Sequence, residues 1–276
     1  WVASIDYQAD VRISDNIIKQ IADTYRKIRN TFKFLLANLS DGDKEFDPNV
    51  DMVKSYSQLS NYILAELEQV KNHALEDYNN YDFASSLQEI LNFLVQDVSA
   101  FYASISKDSL YCDEANSQRR KEYQSVFYQV VTILLAPVLA FTMDEVYQNI
   151  PGHKCSHVAL EDMVKESHQY DVKVLEEYHQ FMVLRDEVMR KLEEARTNQV
   201  IGSGLEASVN LVLDEEKEKL LAKFNCEELK DIFIVSEVNL TKGNEFSVEV
   251  KRHTGEKCER CWSYHHTLQE VNGSKV

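Results

Sequence analysis

The chain has 276 residues, 44% of them hydrophobic, with a formal net charge of −16 and a mean hydropathy of −0.40. That balance describes a globular protein of roughly two domains rather than a disordered one, and the acidity argues against a protein that coats nucleic acid nonspecifically. No apolar run approaches the roughly 18 residues of a membrane span, no signal peptide is visible, and seven Gly with three Pro favour long helices over a turn-rich strand fold.

Ser14 suits a helix N-cap, with Asp15 in the first turn. Ile17, Ile21, Tyr25, Ile28, Phe32, Leu35 and Leu39 then recur at steps of three and four, one face of a long helix ending near Asn38. Lys19, Arg26 and Lys33 are seven apart and share another face. The charge is segregated: residues 12–33 carry six basic residues against Asp15 and Asp23, whereas 41–51 carry five acidic residues against Lys44. The acidic stretch, with Gly42 and Pro48, reads as a loop. A second helix runs from about Tyr56 to Tyr78, with Leu59, Ile63, Leu67, Val70 and Ala74 inward. Asp82 can cap a third, with Phe83, Leu87, Ile90, Leu94, Val98 and Phe101 inward. Ser117 can cap a fourth, carrying Val126, Val130, Ile133 and Leu134 until Pro137 ends or kinks it. Thr142 to Glu145 has capping-box spacing for a short restart. Pro151-Gly152 breaks the chain, 153–170 lacks periodicity, and a fifth helix spans about Val172 to Arg196 with Val174, Tyr178, Phe181, Val188, Leu192 and Ala195 inward.

The pattern changes after Asn198. Gly202-Ser203-Gly204 reads as a hinge and Ala207–Leu213 as a strand. A charged helix is expected over about Asp214 to Phe224, then strands at Ile232–Leu240 and Phe246–Lys251. The fold class is therefore mainly α: a helical bundle followed by a small α/β module and a cysteine-bearing tail.

That tail reads Cys258-Glu259-Arg260-Cys261-Trp262, with His265 and His266 after it. A C-x-x-C pair can hold one side of a tetrahedral zinc ion. A redox pair instead opens a helix in a βαβ unit, and none surrounds it. A structural site takes its second pair roughly 12 to 20 residues on, but no cysteine follows Cys261. Two ligands do not close a site, so this chain is expected to hold zinc weakly or not at all. Completion by His265 or His266 is the less favoured alternative. The missing pair, and a start on Trp1 rather than Met, point to a piece of a longer protein. Cys112, Cys155 and Cys226 are isolated, so no disulfide framework exists and a reducing, cytoplasmic compartment is expected.

The order of several stretches resembles class I aminoacyl-tRNA synthetases of the Ile/Val/Leu group. They are Asp10-Val11-Arg12-Ile13-Ser14-Asp15, Tyr25-Arg26-Lys27-Ile28-Arg29-Asn30-Thr31, Lys107-Asp108-Ser109-Leu110-Tyr111 with Arg119-Arg120, and Leu134-Leu135-Ala136-Pro137 with Phe141-Thr142-Met143-Asp144-Glu145-Val146. Ile201 to Ala207 continues the series. Gly255-Glu256-Lys257-Cys258-Glu259-Arg260-Cys261-Trp262 narrows the likeness to bacterial-type isoleucyl-tRNA synthetases. The departures are Tyr147, where many relatives have Trp, and the absent second cysteine pair. The resemblance implies the end of a stem-contact region (1–13), an anticodon-binding helical bundle (14–198), a C-terminal junction module (199–253) and an incomplete zinc-binding tail (254–276). The HIGH and KMSKS signatures are absent, so no catalytic residue is expected here. The whole enzyme, implied to be a cytoplasmic monomer, would use ATP and Mg to attach isoleucine to its tRNA, with zinc in its tail. Isoleucine tRNA is the implied partner; DNA and membranes are not.

Cations that can meet RNA phosphate are Lys19, Arg26, Arg29 and Lys33 on the first helix, Arg119, Arg120 and Lys121 in the first turn of the fourth, and Arg185, Arg190 and Arg196 on the fifth. Each has a bland reading: solvated charge, or a strut to a neighbouring carboxylate. Base recognition needs stacking surfaces and hydrogen bonds to base edges, for which Lys251, Arg252, His253, Lys257, Arg260 and Trp262 are the candidates. Trp262 is expected foremost as a plug packed under the knuckle. Two other readings compete: an acidic helical scaffold that binds protein through its acidic faces and zinc tail, and the equivalent region of a valyl or leucyl relative. Independent catalysis has no support, since no Ser/His/Asp constellation, nucleotide-binding glycine loop or paired-His helix motif is present. His153 and His157 are placed on a loop.

Overall fold

The computed structural model describes residues 1–5, 7, 9–41, 44–132, 135–162, 170–271 and 274–275. They form two compact units, Trp1–Val174 and Leu175–Val276. The fifth expected helix lies almost wholly in the second unit.

The first unit opens with a short 3-10 turn at Val2–Ser4. Helix α1 (Asp15–Ala37) is capped as expected, Ser14 accepting from the N–H of Ile17. Its apolar stripe is fully buried only from Ile28 through Phe32 and Leu35 to Leu39. A two-residue hairpin, β1 (Ser40–Asp41) and β2 (Lys44–Glu45), follows. Helix α2 (Gln58–Asn79) starts at Ser57, and all five residues expected inward are buried. Helix α3 (Phe83–Asn92) is capped by Asp82. The helix then widens to π geometry over Phe93–Tyr102 before α4 (Ala103–Cys112). Phe93, Leu94, Val98, Phe101 and Tyr102 are buried along this stretch.

Helix α5 (Gln118–Val130) ties the unit together. Its Glu122 accepts from the N–H of Ser57 at 2.9 Å and from Ser57 Oγ at 2.5 Å, placing a carboxylate on the unsatisfied donors at the start of α2. Gln124 donates to the Asn38 carbonyl at 2.9 Å, at the end of α1. Helix α6 (Ala140–Gln148) has Leu139 as its N-cap, three residues before the expected cap Thr142 and without a side-chain hydrogen bond. Ile133 and Leu134, assigned to the fourth helix face, lie outside the described residues. A 3-10 turn at Val158–Leu160 closes the described part of this region.

In the second unit, α7 (Val172–Thr197) buries Leu175, Tyr178, Phe181, Leu184, Val188, Leu192 and Ala195. Strand β3 (Ala207–Leu213) leads through α8 (Glu215–Leu221) and α9 (Cys226–Phe233) into β4 (Glu237–Lys242) and then β5 (Ser247–Arg252). The sheet order is β4-β3-β5, with β3 parallel to β4 and antiparallel to β5. The parallel pair needs a crossover, which α8 and α9 supply. Ile232, expected to open a strand, sits instead in α9, whose capping box joins Asn225 and Glu228. Phe181 of α7 stacks on Phe224 with centroids 5.0 Å apart. The tail forms two small hairpins, β6 (Glu256–Lys257) with β7 (Tyr264–His265) and β8 (Glu270–Val271) with β9 (Ser274–Lys275).

Candidate nucleic-acid interface

Lys19, Arg26 and Lys33 are exposed on α1. Arg26 pairs with Asp23 one turn before it, whereas Lys19 and Lys33 have no ion-pair partner among the described residues. A rise of 1.5 Å per residue separates these two lysines by about 21 Å along the helix. Arg29 is a strut: its guanidinium makes a two-pronged contact with Glu145 of α6 at 2.7 and 2.9 Å. Each charge favours the other's ionised form, so the Glu145 pKa is lowered and that of Arg29 raised.

The cations of the α5 first turn divide similarly. Lys121 lies 3.7 Å from the buried carboxylate of Asp51, in the segment before α2, where its charge offsets a buried anion. Arg119 is exposed and Arg120 half-buried. Two carboxylates of the acidic segment also bond within it, Asp51 accepting from the Asp47 N–H at 3.0 Å and Asp47 from the Asn49 N–H at 2.9 Å.

In the second unit, Arg190 pairs with Glu194 at 2.6 Å and Arg196 with Glu193 at 3.2 Å. Arg185 is half-buried, and burial lowers its pKa. Lys251 pairs with Glu249 at 2.8 Å, and Arg252 lies 3.6 Å from Glu206. His253, expected to meet bases, is buried and turned toward Glu237.

The knuckle carries the largest departure from expectation. Trp262 is 62% exposed rather than packed beneath it. The residue holds a left-handed backbone conformation, φ 66°, that bulky residues rarely adopt. The ammonium of Lys257 lies 5.0 Å from its ring centroid, within cation–π range, and Arg260, two residues before the ring, is exposed. Cys258 is buried, and its thiol pKa is lowered by the backbone N–H of Cys261, against the cost of burial, with help from the N–H groups of Arg260 and Trp262. Donors converging on one sulfur favour the thiolate, the form that binds metal. Cys261 Sγ lies 3.8 Å from His265 Nε2.

One feature has no counterpart among the residues expected from sequence. On the sheet face opposite Val209 and Leu211, Asn239 donates to Asn210 at 3.1 Å and Asn210 to Glu249 at 3.4 Å. This amide–carboxylate row is open to solvent at Asn239 and Glu249. Period-two alternation in β3 carries the signal, but the row exists only once the register aligns the three strands.

A cavity of about 700 Å³ in the first unit is lined by Pro137, Phe141, Met143, Tyr147, Ile150 and Val158 among others. Some of the polar groups on its wall are engaged structurally. His157 Nδ1 lies 2.9 Å from Asp144, and the Tyr147 hydroxyl accepts from the N–H of Cys155. His153 and His157 lie on a loop, as expected.

Residues 60–211, more than half of the chain, match the family described as the anticodon-binding domain of tRNA ligase. Among curated proteins, the chain is 42% identical to an isoleucine–tRNA ligase of Staphylococcus carnosus, over 99% of the chain and 31% of that protein. It is 40% identical to isoleucine–tRNA ligase 1 of Oceanobacillus iheyensis (98% and 30%) and 42% identical to an isoleucine–tRNA ligase of Bacillus cereus (97% and 30%). The chain thus spans about a third of the length of these relatives.

Proposed function

The chain belongs to the family of anticodon-binding domains of tRNA ligases, and from that premise we propose that it grips the anticodon arm of an isoleucine tRNA as the C-terminal part of an isoleucine–tRNA ligase. The carrying observation is the exposed Trp262 ring with Lys257 over it. An indole held in solvent at a strained backbone position gives up burial that a plug would gain, and it offers a stacking platform beside cations. Lys19 and Lys33 serve as phosphate contacts that orient the RNA without reading its sequence.

The contribution is binding energy and orientation, not chemistry. The whole enzyme, cytoplasmic and monomeric in this reading, would activate isoleucine with ATP and Mg in a domain outside this sequence. Zinc fits the donor set at the knuckle: Cys258 and Cys261 would hold it, and it would brace the turn that presents Trp262. Two thiolates supply half a tetrahedron, so weak or no retention of zinc by this chain is the expected result on elemental analysis.

A protein-binding scaffold would be favoured by burial of the basic face of α1, yet Lys19, Arg26 and Lys33 are exposed. The test is a mobility-shift titration with isoleucine tRNA and a noncognate tRNA at two salt concentrations. Tighter, salt-sensitive binding of the isoleucine tRNA is expected. Equal, salt-insensitive or undetectable binding would overturn the proposal.

A further inference from the structure

One cluster in the second unit has no part in RNA contact as proposed. His253, at the end of β5, has a side chain only 2% exposed, and its Nε2 lies 4.0 Å from Glu237 Oε2. His266, from the tail, places its Nε2 3.5 Å from Glu237 Oε1. The two imidazole rings are 4.6 Å apart and tilted by 31°. Ser208 Oγ donates to Glu237 at 2.5 Å, and this is the leading cause of the lowered Glu237 pKa.

The donor atoms of Glu237, His253 and His266 lie within 4.8 Å of one another, spacing that first suggests a cation site. One hydrogen bond argues otherwise. The backbone N–H of Gly255 donates to His253 Nδ1 at 2.9 Å. A ring that accepts at Nδ1 is neutral and carries its proton on Nε2, the atom facing Glu237. A metal would need the lone pair of that same Nε2. The arrangement instead sets the positive end of a neutral imidazole against a carboxylate.

We propose that Glu237, His253 and His266 form a clasp that positions the cysteine knuckle on the sheet, closed while His253 is neutral and opened when its Nδ1 takes a proton. The neighbouring contacts belong to the same joint. Tyr264 N–H donates to Ser236 Oγ at 2.7 Å, and His253 N–H donates to the Glu206 carbonyl at 2.7 Å. A Cβ on Gly255 would stand 2.2 Å from the His265 carbonyl oxygen, so the backbone itself is pressed against β7. Groups facing His253 are Glu237 from β4 and Tyr264, His265 and His266 from the tail. A proton on Nδ1 would meet the Gly255 N–H head-on and break that hydrogen bond. Burial opposes the charge, Glu237 favours it, and His266 and His265 oppose it, leaving the His253 pKa below its ordinary 6.5.

The role given to the knuckle rests on the RNA-binding proposal; the clasp itself does not. It is tested on the full chain without RNA, by long-range nitrogen–proton NMR of the imidazoles and by hydrogen exchange over residues 254–266. Near pH 8, His253 should show the Nε2–H tautomer. The Glu237→Gln variant, measured at that same pH, should lose about tenfold in protection over 254–266, the change that one pKa unit of interaction supplies, while β3 and β5 stay protected. Wild-type protection there should fall as pH drops below 6.5. An Nδ1–H tautomer, equal protection in the variant and the wild type, or loss of the His253 Nε2–H signal on adding zinc would each overturn the clasp. A failed RNA titration would remove the RNA-binding proposal and leave these readouts unchanged.

Discussion

At the scale of single residues, exposure and pairing separate side chains that the sequence presents as equals. Trp262→Ala should lower affinity for isoleucine tRNA by about 1–3 kcal/mol, the contribution of one base stacked on an aromatic ring. Its circular dichroism should be unchanged, because the ring it loses is in solvent. Unchanged affinity in a binding titration would remove Trp262 from the interface. Arg29 answers differently. Its guanidinium is committed to Glu145, so Arg29→Ala should disturb the α1–α6 packing more than RNA binding. Both partners are about half exposed, and exposed ion pairs contribute little. A fall in Tm of about 2 °C or less is expected by calorimetry. Gly255→Ala is a steric test: with backbone oxygen 2.2 Å from the new Cβ, the β6–β7 pairing should disappear by NMR while the β4-β3-β5 sheet persists.

Among elements, α1 is the easiest to read and the hardest to interpret. Its cap, length and apolar stripe follow from local rules, because helical period and capping chemistry depend on neighbours three or four residues away. Which basic residues stay available does not: the spacing puts Lys19, Arg26 and Lys33 on one face, but only the fold shows that Arg29 is taken by α6. Charge reversal at both Lys19 and Lys33 should weaken all tRNAs alike by about tenfold at low salt. It should also flatten the salt dependence by about 0.7 for each phosphate no longer neutralised, as backbone binding without base readout requires. A change confined to the isoleucine tRNA would assign these lysines to base recognition instead. Helix α9 escapes a local reading for a physical reason. Ile232 and Phe233 are apolar and partly β-branched, so they read as a strand, while the deciding capping box at Asn225 and Glu228 lies upstream. The π stretch inside the third helix is illegible too, since the apolar spacing of Leu94, Val98 and Phe101 fits a regular helix equally well.

For the whole molecule, charge and titration set the conditions under which it works. A chain of net charge −16 binds a polyanion only through local cationic faces, so added salt should weaken binding steeply. Stability should be greatest near neutral pH. Asp144, Glu145 and Glu237 have pKa values lowered by His157, Arg29 and Ser208, their leading partners. The unfolded chain therefore takes up protons first as pH falls, and stability declines below about 4.5, the ordinary glutamate value. His253 adds loss at higher pH, because its lowered pKa makes the unfolded chain the better proton acceptor just below 6.5. Tm measured from pH 7 to pH 4 should decline in two stages, the first abolished by His253→Phe. A single stage in the wild type would exclude the His253 contribution.

Residues close together along the chain are enough to specify the helices with strong period and caps, the strand at Ala207–Leu213, the cysteine knuckle and the order of motifs that carries the family likeness. The packed fold was needed for the rest. It joins the long helix after Val172 to the small sheet, turns Trp262 to solvent, makes struts of Arg29 and Lys121, and brings Glu237, His253 and His266 together. The struts and the Glu237 cluster depend on partners a dozen to more than a hundred residues away. Burial of apolar faces constrains which surfaces pack, but it leaves no local trace of which charges end up opposite one another.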